Sequence, residues 1–166
     1  MSSYTGNVEV GGAPDVRELP GLTIRKLAVS EMANNAYLLT CTATGEALLV
    51  DAAAEPGALR ALVGDAPLRT VVTTHGHWDH HRALPEVVAA TGAVTVAHPA
   101  DAADLPVPVE RPVEHGDTVA VGDQVLFSPE DQHEVEVHGE DLIILRERDV
   151  HAVAAERIEE STGLYL

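Results

Sequence analysis

One cysteine, one lysine, one phenylalanine and one tryptophan are all that this 166-residue chain holds of those four types. The lone Cys41 cannot close an intramolecular disulfide, and no Cys-x-x-Cys pair is present to build a thiolate metal site. Both absences point to a reducing cytoplasm as the expected location. Basic residues are scarce: 10 Lys plus Arg stand against 27 Asp plus Glu, for a net charge of −17. Phosphate binding depends on clustered Lys and Arg, so neither nucleic acid nor an anionic membrane surface is expected as a partner. No apolar run approaches the roughly 20 residues that span a bilayer. The opening MSSYTGNVEVGG has no basic stretch followed by an apolar one, so no secretory signal is expected.

What is present suits one domain, or one domain with an appendage, large enough to bury a core. The charge is uneven. Residues 1–119 carry 15 acids and 7 bases, and residues 120–166 carry 12 and 3, so a short tail is as acidic as the long body. Residues 1–21, with Gly11, Gly12, Pro14, Pro20 and Gly21, read as a loose lead-in, with order beginning at Leu22. LTIRKLAV, NAYLLTC and ALLVDA then form a meander of three strands, the last ending in Asp51. Pro56 in a first turn, Ala58, Leu59, Leu62 and Val63 at helical spacing, and Gly64 as a stop predict a short helix. TVVTTH, residues 70–75, reads as a strand buried on both faces. A second helix is expected over about 82–91, with Pro85 in its opening turn and Gly92 at its end, then a strand over 93–99. This alternation implies an α/β layered domain. Pro106, Pro108 and Pro112 make residues 100–118 extended or looped. Beyond them, a strand pair around Gly122-Asp123 and a hairpin turning at residues 139–141 are expected.

Chemistry concentrates in THGHWDH, residues 74–80. Imidazole nitrogen and carboxylate oxygen are zinc ligands, and on a sharp loop ligands a residue or two apart can converge on one ion. His75 and His77 have that relation, while Asp79 and His80 follow closely enough to serve a second ion sharing one water. The cluster lies between a strand and a helix, where ligands gather in α/β proteins. The plainer alternative is a histidine-rich turn with no ion. His81 is expected at the surface or supporting the ligands, Cys41 as a small buried apolar residue, and His98, His115, His133, His138 and His151 as unliganded.

His75-x-His77-x-Asp79-His80 resembles the signature of the metallo-beta-lactamase superfamily. The approach to it, a meander, a strand ending in Asp, a helix and an apolar strand, follows that family's order over about residues 22–122. NNAYLLTC and VEHGDTVAVG are most similar to its glyoxalase-II-like branch. The resemblance implies an αββα-type layer architecture, here partial and followed by a β-rich tail, and a zinc-dependent hydrolase with one or two ions. Position by position it places His75 and His77 on the first ion, Asp79 and His80 on the second, and makes Asp79 the catalytic group that orients the nucleophile. Two ions would lower the pKa of a shared water, whose hydroxide attacks the carbonyl of a small ester or thioester.

The family's later ligands, in a Pro-Gly-His-type loop, a Gly-Asp segment and a final histidine, are not recognisable in residues 123–166. That stretch instead resembles the C-terminal part of GroES-type co-chaperonins, in VAVGDQVLFSPED, EVEVHGEDLIILRERDV and HAVAAE. The chain is therefore expected to divide into a metallo-beta-lactamase-like portion, 1–119, and a co-chaperonin-like segment, 120–166, through which it could form a homo-oligomer. The competing reading is a non-catalytic metal-binding or oligomerising module with an incomplete site, or a recombined product without selected function.

Overall fold

The computed structural model describes residues 4–122 continuously, together with the backbone of three strand segments at 124–126, 133–137 and 140–144. Seven strands form one mixed sheet in chain order: β1 (Asp15–Leu19), β2 (Leu22–Val29), β3 (Asn34–Cys41), β4 (Ala47–Val50), β5 (Leu68–Val72), β6 (Val94–Ala97) and β7 (Arg111–Pro112). The first four pair antiparallel through short turns. From β4 to β7 the pairing is parallel, which requires crossovers, and helices α1 (Pro56–Val63) and α2 (Leu84–Thr91) supply two of them.

Strand periodicity explains how the sheet is covered. Successive side chains point to opposite faces. Thus Ala36, Leu38 and Leu49 join one core cluster with Leu59 and Val63 of α1 and Leu84 and Val87 of α2. Leu39, Cys41 and Leu48 face the other way, into a second cluster with Leu22 and Val121. Each fully buried Leu contributes roughly 1.5–3 kcal/mol. Cys41 is fully buried in that second cluster, in keeping with its expected apolar role. Both helices carry a proline in the first turn and stop at a glycine with positive φ, Gly64 and Gly92, as the sequence predicts. The second starts two residues later than expected, and the N–H of Ala83, just before it, is given to the carbonyl of Ala52.

One expectation fails. Order does not begin at Leu22: residues 15–19 form β1, hairpinned onto β2 so that Leu19 faces Leu22. This is an edge strand with Val16, Arg17 and Glu18 exposed, so it carries no apolar alternation to read. Even the residues before it are tied down, since the Asp15 carboxylate accepts from the backbone N–H of Thr5 (2.9 Å) and of Gly6 (2.7 Å). Those bonds, led by the one from Thr5, hold its carboxyl below the usual aspartate range.

The strand pair around residues 122–123 forms as β8 (Val119–Val121) and β9 (Gln124–Leu126), and the expected hairpin as β10 (His133–Val137) and β11 (Glu140–Ile144). β8 lies against β3, and a side chain at Gly122 would collide with Thr44 and with the Cys41 side chain. The remainder of the segment expected to resemble co-chaperonins, including His138 and His151, lies outside the described residues, and that resemblance is not borne out. Among the described residues no helix is long and apolar enough to cross a membrane.

Candidate metal centre

β4 and β5 run parallel and end side by side, with Asp51 after the first and Thr73 to His77 after the second. Thr73 still pairs with β6, donating its N–H to the carbonyl of Val96 at 2.9 Å. Thr74 does not. Its N–H turns to Asp51 Oδ1 (2.8 Å) and its hydroxyl to Asp51 Oδ2 (2.8 Å). The strand expected to reach His75 therefore ends at Val72, and the chain leaves the sheet as a loop that enters one 3-10 turn, Trp78–His80.

Asp51 sits 5% exposed with φ 58°, in the left-handed region that aspartate tolerates better than most side chains. Besides the two bonds from Thr74, its Oδ2 accepts from His80 Nδ1 at 2.8 Å. As an acceptor the carboxylate calls for a proton on His80 Nδ1 and turns Nε2 towards Asp79, the orientation used by metal-binding histidines. His75 is set in the same sense at one remove. The Thr74 hydroxyl spends its proton on Asp51, so it can only accept from His75 Nδ1 (3.0 Å), which leaves His75 Nε2 as the partner of His77 Nδ1.

The His75 ring is the hub of the cluster, its centroid 4.6 Å from that of His77 and 4.1 Å from that of His80. His75 Nε2 and His77 Nδ1 lie 3.1 Å apart. Two nitrogens on one tetrahedral zinc would be about 3.3 Å apart, so this pair fits an ion with little movement. Asp79 Oδ2 lies 3.7 Å from His80 Nε2, a second nitrogen and oxygen pair. Among the described residues these donors do not gather into a group of three that could hold an ion. The four expected residues lie together as two pairs of donors, and neither pair by itself completes a coordination shell.

Asp79 is fixed from far along the chain: Asn34 Nδ2 donates to its Oδ2 at 2.9 Å. That bond is the main reason its carboxyl lies below the usual aspartate range. Desolvation opposes it, while the residue's own backbone N–H and the charges of His80 and His77 add to it. His81 proves buried and not at the surface, with Nε2 3.2 Å from the carbonyl oxygen of Gly76, the residue between His75 and His77. Its Nδ1 is buried without a hydrogen-bond partner. On the other side of the same residue, the Gly76 N–H donates to Asp101 Oδ1 at 2.8 Å. His98 stays apart, with Nδ1 accepting from the N–H of Ala100 at 3.1 Å.

Sequence reasoning did not place Asp51, Asn34 or Asp101 in the site. Asp51 had left a signal, as a charged residue closing an apolar strand. Asn34 and Asp101 had left none, because their relation to the motif is purely tertiary.

A scan against family models matches residues 29–155 to the metallo-beta-lactamase superfamily, a range that runs past the boundary expected near residue 119. A hydroxyacylglutathione hydrolase from Fuscovulum blasticum is 42% identical over 90 residues, covering 54% of this chain and 35% of the relative. One from Rhodospirillum rubrum is 36% identical over 102 residues, 61% of this chain and 39% of the relative. The chain thus spans little more than a third of the length of these curated relatives. Among solved structures, ETHE1 from Myxococcus xanthus is similar at TM-score 0.54 and 32% identity, over 64% of this chain and 48% of that one. The BLEG-1 B3 metallo-beta-lactamase superposes at TM-score 0.57 with 16% identity, over 61% and 58%, a likeness of fold alone. With its mixed sheet, its strand-end histidine cluster and a family match over most of its length, the chain belongs to the metallo-beta-lactamase superfamily.

Proposed function

We propose that this chain is the metal-binding part of a zinc-dependent hydrolase acting on a small thioester or ester. His75 and His77 hold the first ion, and Asp79 and His80 the second. The observation that carries this reading is the buried Asp51 carboxylate, which bonds His80 Nδ1 directly and His75 Nδ1 through Thr74 and so turns both Nε2 atoms towards the other candidate ligands. A histidine-rich turn without an ion would have no need of a buried acid that sets two tautomers. The relatives named hydroxyacylglutathione hydrolase favour an acyl thioester of glutathione type as the small-molecule substrate. Bound zinc would supply an electrophile for the carbonyl oxygen and bring the pKa of water towards neutrality. The protein's own share is positional. Asp79 presents a carboxylate that orients the nucleophilic water, while Thr74 and Asp51 keep the imidazoles of His75 and His80 from turning.

The test is metal content per chain together with thioester hydrolysis, for the wild type and for His77→Ala. Bound zinc in the wild type, its loss on substitution and a fall in turnover of about a thousandfold, the scale of several kcal/mol of charge stabilisation, are expected. Wild-type protein that carries zinc but cleaves no thioester, ester or lactone above the buffer rate would overturn the hydrolase reading and leave a non-catalytic metal-binding module.

A further inference from the structure

The turn between β2 and β3, residues 30–33, is built at some conformational expense. Ser30 and Ala33 both adopt positive φ, 67° and 54°, and Glu55, which caps α1, does so at 51°. Such conformations are unfavourable for residues other than glycine and persist only where the surroundings impose them. Here the three are tied together. Ser30, 7% exposed, donates its N–H to Glu55 Oε1 at 2.9 Å, and its carbonyl accepts from the N–H of Ala33 at 3.0 Å.

The Ser30 hydroxyl is fully used: Oγ accepts from the N–H of Met32 (3.2 Å) and donates its one proton to Asn34 Oδ1 (2.6 Å). That settles the Asn34 amide. Its oxygen faces the Ser30 proton and its nitrogen faces Asp79 Oδ2 at 2.9 Å; reversed, the amide oxygen would oppose a carboxylate. A chain of three side chains therefore runs from the start of α1, through the strained turn, to one candidate ligand. None of its bonds reaches His75 or His77.

We propose that Asn34, oriented by Ser30, is a positioning residue that holds Asp79 for the second ion, so that the turn after β2 and the start of α1 control the second half of the centre and not the first. This rests on the metal-site reading given above. It makes the two ions separable: disturbing Asn34 should cost the second while sparing the first.

Cobalt(II) titration of the full chain, followed by calorimetry and by the visible absorption spectrum, provides the test. Wild type should take up two ions. In Asn34→Ala the first should bind as before and the second about 10–100-fold more weakly, the usual cost of removing a group that supports a ligand. Ser30→Ala should weaken the second ion in the same direction but less. The Ser30→Ala/Asn34→Ala double variant should be no worse than Asn34→Ala alone, because Ser30 acts through Asn34. Two unchanged ions in Asn34→Ala, equal weakening of both, or additive effects in the double variant would each overturn the inference while leaving the metal centre standing. Should Asn34→Ala not fold, Ser30→Ala decides alone: an unaltered second ion overturns the inference. Wild type taking up a single ion also overturns it, whereas wild type taking up none overturns the proposed function with it.

Discussion

The two candidate ligand pairs lie within six residues of sequence, yet they are anchored in opposite ways. His75 and His77 are held directly from within the motif, by the neighbouring Thr74 and by each other, and reach outside it only at one remove, through the bonds of Thr74 to Asp51 and of Gly76 to Asp101. Asp79 and His80 are held from outside it, by Asn34, 45 residues away, and by Asp51, 29 residues from His80. The second pair therefore depends directly on residues that reach the motif only when β3 and β4 lie beside it, and the first depends on them one bond further away.

Asp51→Ala should break this contrast most severely. It empties a buried carboxylate position and leaves the Thr74 N–H, the Thr74 hydroxyl and the half-buried His80 Nδ1 without their acceptor. A loss of about 3 kcal/mol or more in urea unfolding is expected. His75→Ala, which removes only locally held contacts, should change stability by less than about 1 kcal/mol. Equal losses would show that the two pairs are not anchored differently.

A smaller effect should come from Gly76→Ala, which acts on the first pair alone. A methyl group at Gly76 would lie 2.9 Å from Asp104 Cβ and 3.3 Å from Asp101 Oδ1, the atom that already receives the Gly76 N–H. The loop would have to move, at about 1–2 kcal/mol. Since Gly76 separates the two histidines, this variant should weaken the first cobalt(II) ion more than the second, the reverse of Asn34→Ala. A larger loss of the second ion would contradict the division.

The smallest effect concerns protons. Asp79 is held below the usual aspartate range chiefly by Asn34. A carboxyl depressed in the folded state contributes stability above its unfolded pKa and loses it as pH falls through the folded value. In the metal-free protein, the Asp79 carboxyl carbon should therefore titrate by NMR at lower pH than ordinary aspartate, and Asn34→Ala should move that midpoint up. A midpoint that stays put would remove Asn34 from the account.

These contrasts also mark how far the chain could be read in advance. The helices were legible because Pro56 and Gly64, or Pro85 and Gly92, bracket short apolar stretches whose boundaries depend on backbone conformation alone. The β2 to β4 meander was legible from its runs of apolar residues. β1 was not: an exposed edge strand needs no apolar pattern, and its pairing is decided by the Pro20-Gly21 turn and by β2. His75, His77, Asp79 and His80 were legible as candidate ligands because the motif puts donors on adjacent positions of a tight loop. Asn34 was not, since an asparagine at the head of a strand is ordinary until the fold sets Asp79 beside it.

By itself, then, the sequence determined that donors of the right chemistry would crowd together after one strand, because local spacing needs no tertiary partner to hold. Which nitrogen of each histidine carries its proton, and where Asp79 points, only the tertiary structure decided. Those depend on hydrogen bonds accepted by Asp51 and Thr74 and on one donated by Asn34, and Asp51 and Asn34 meet the motif only because β3, β4 and β5 lie side by side in one sheet.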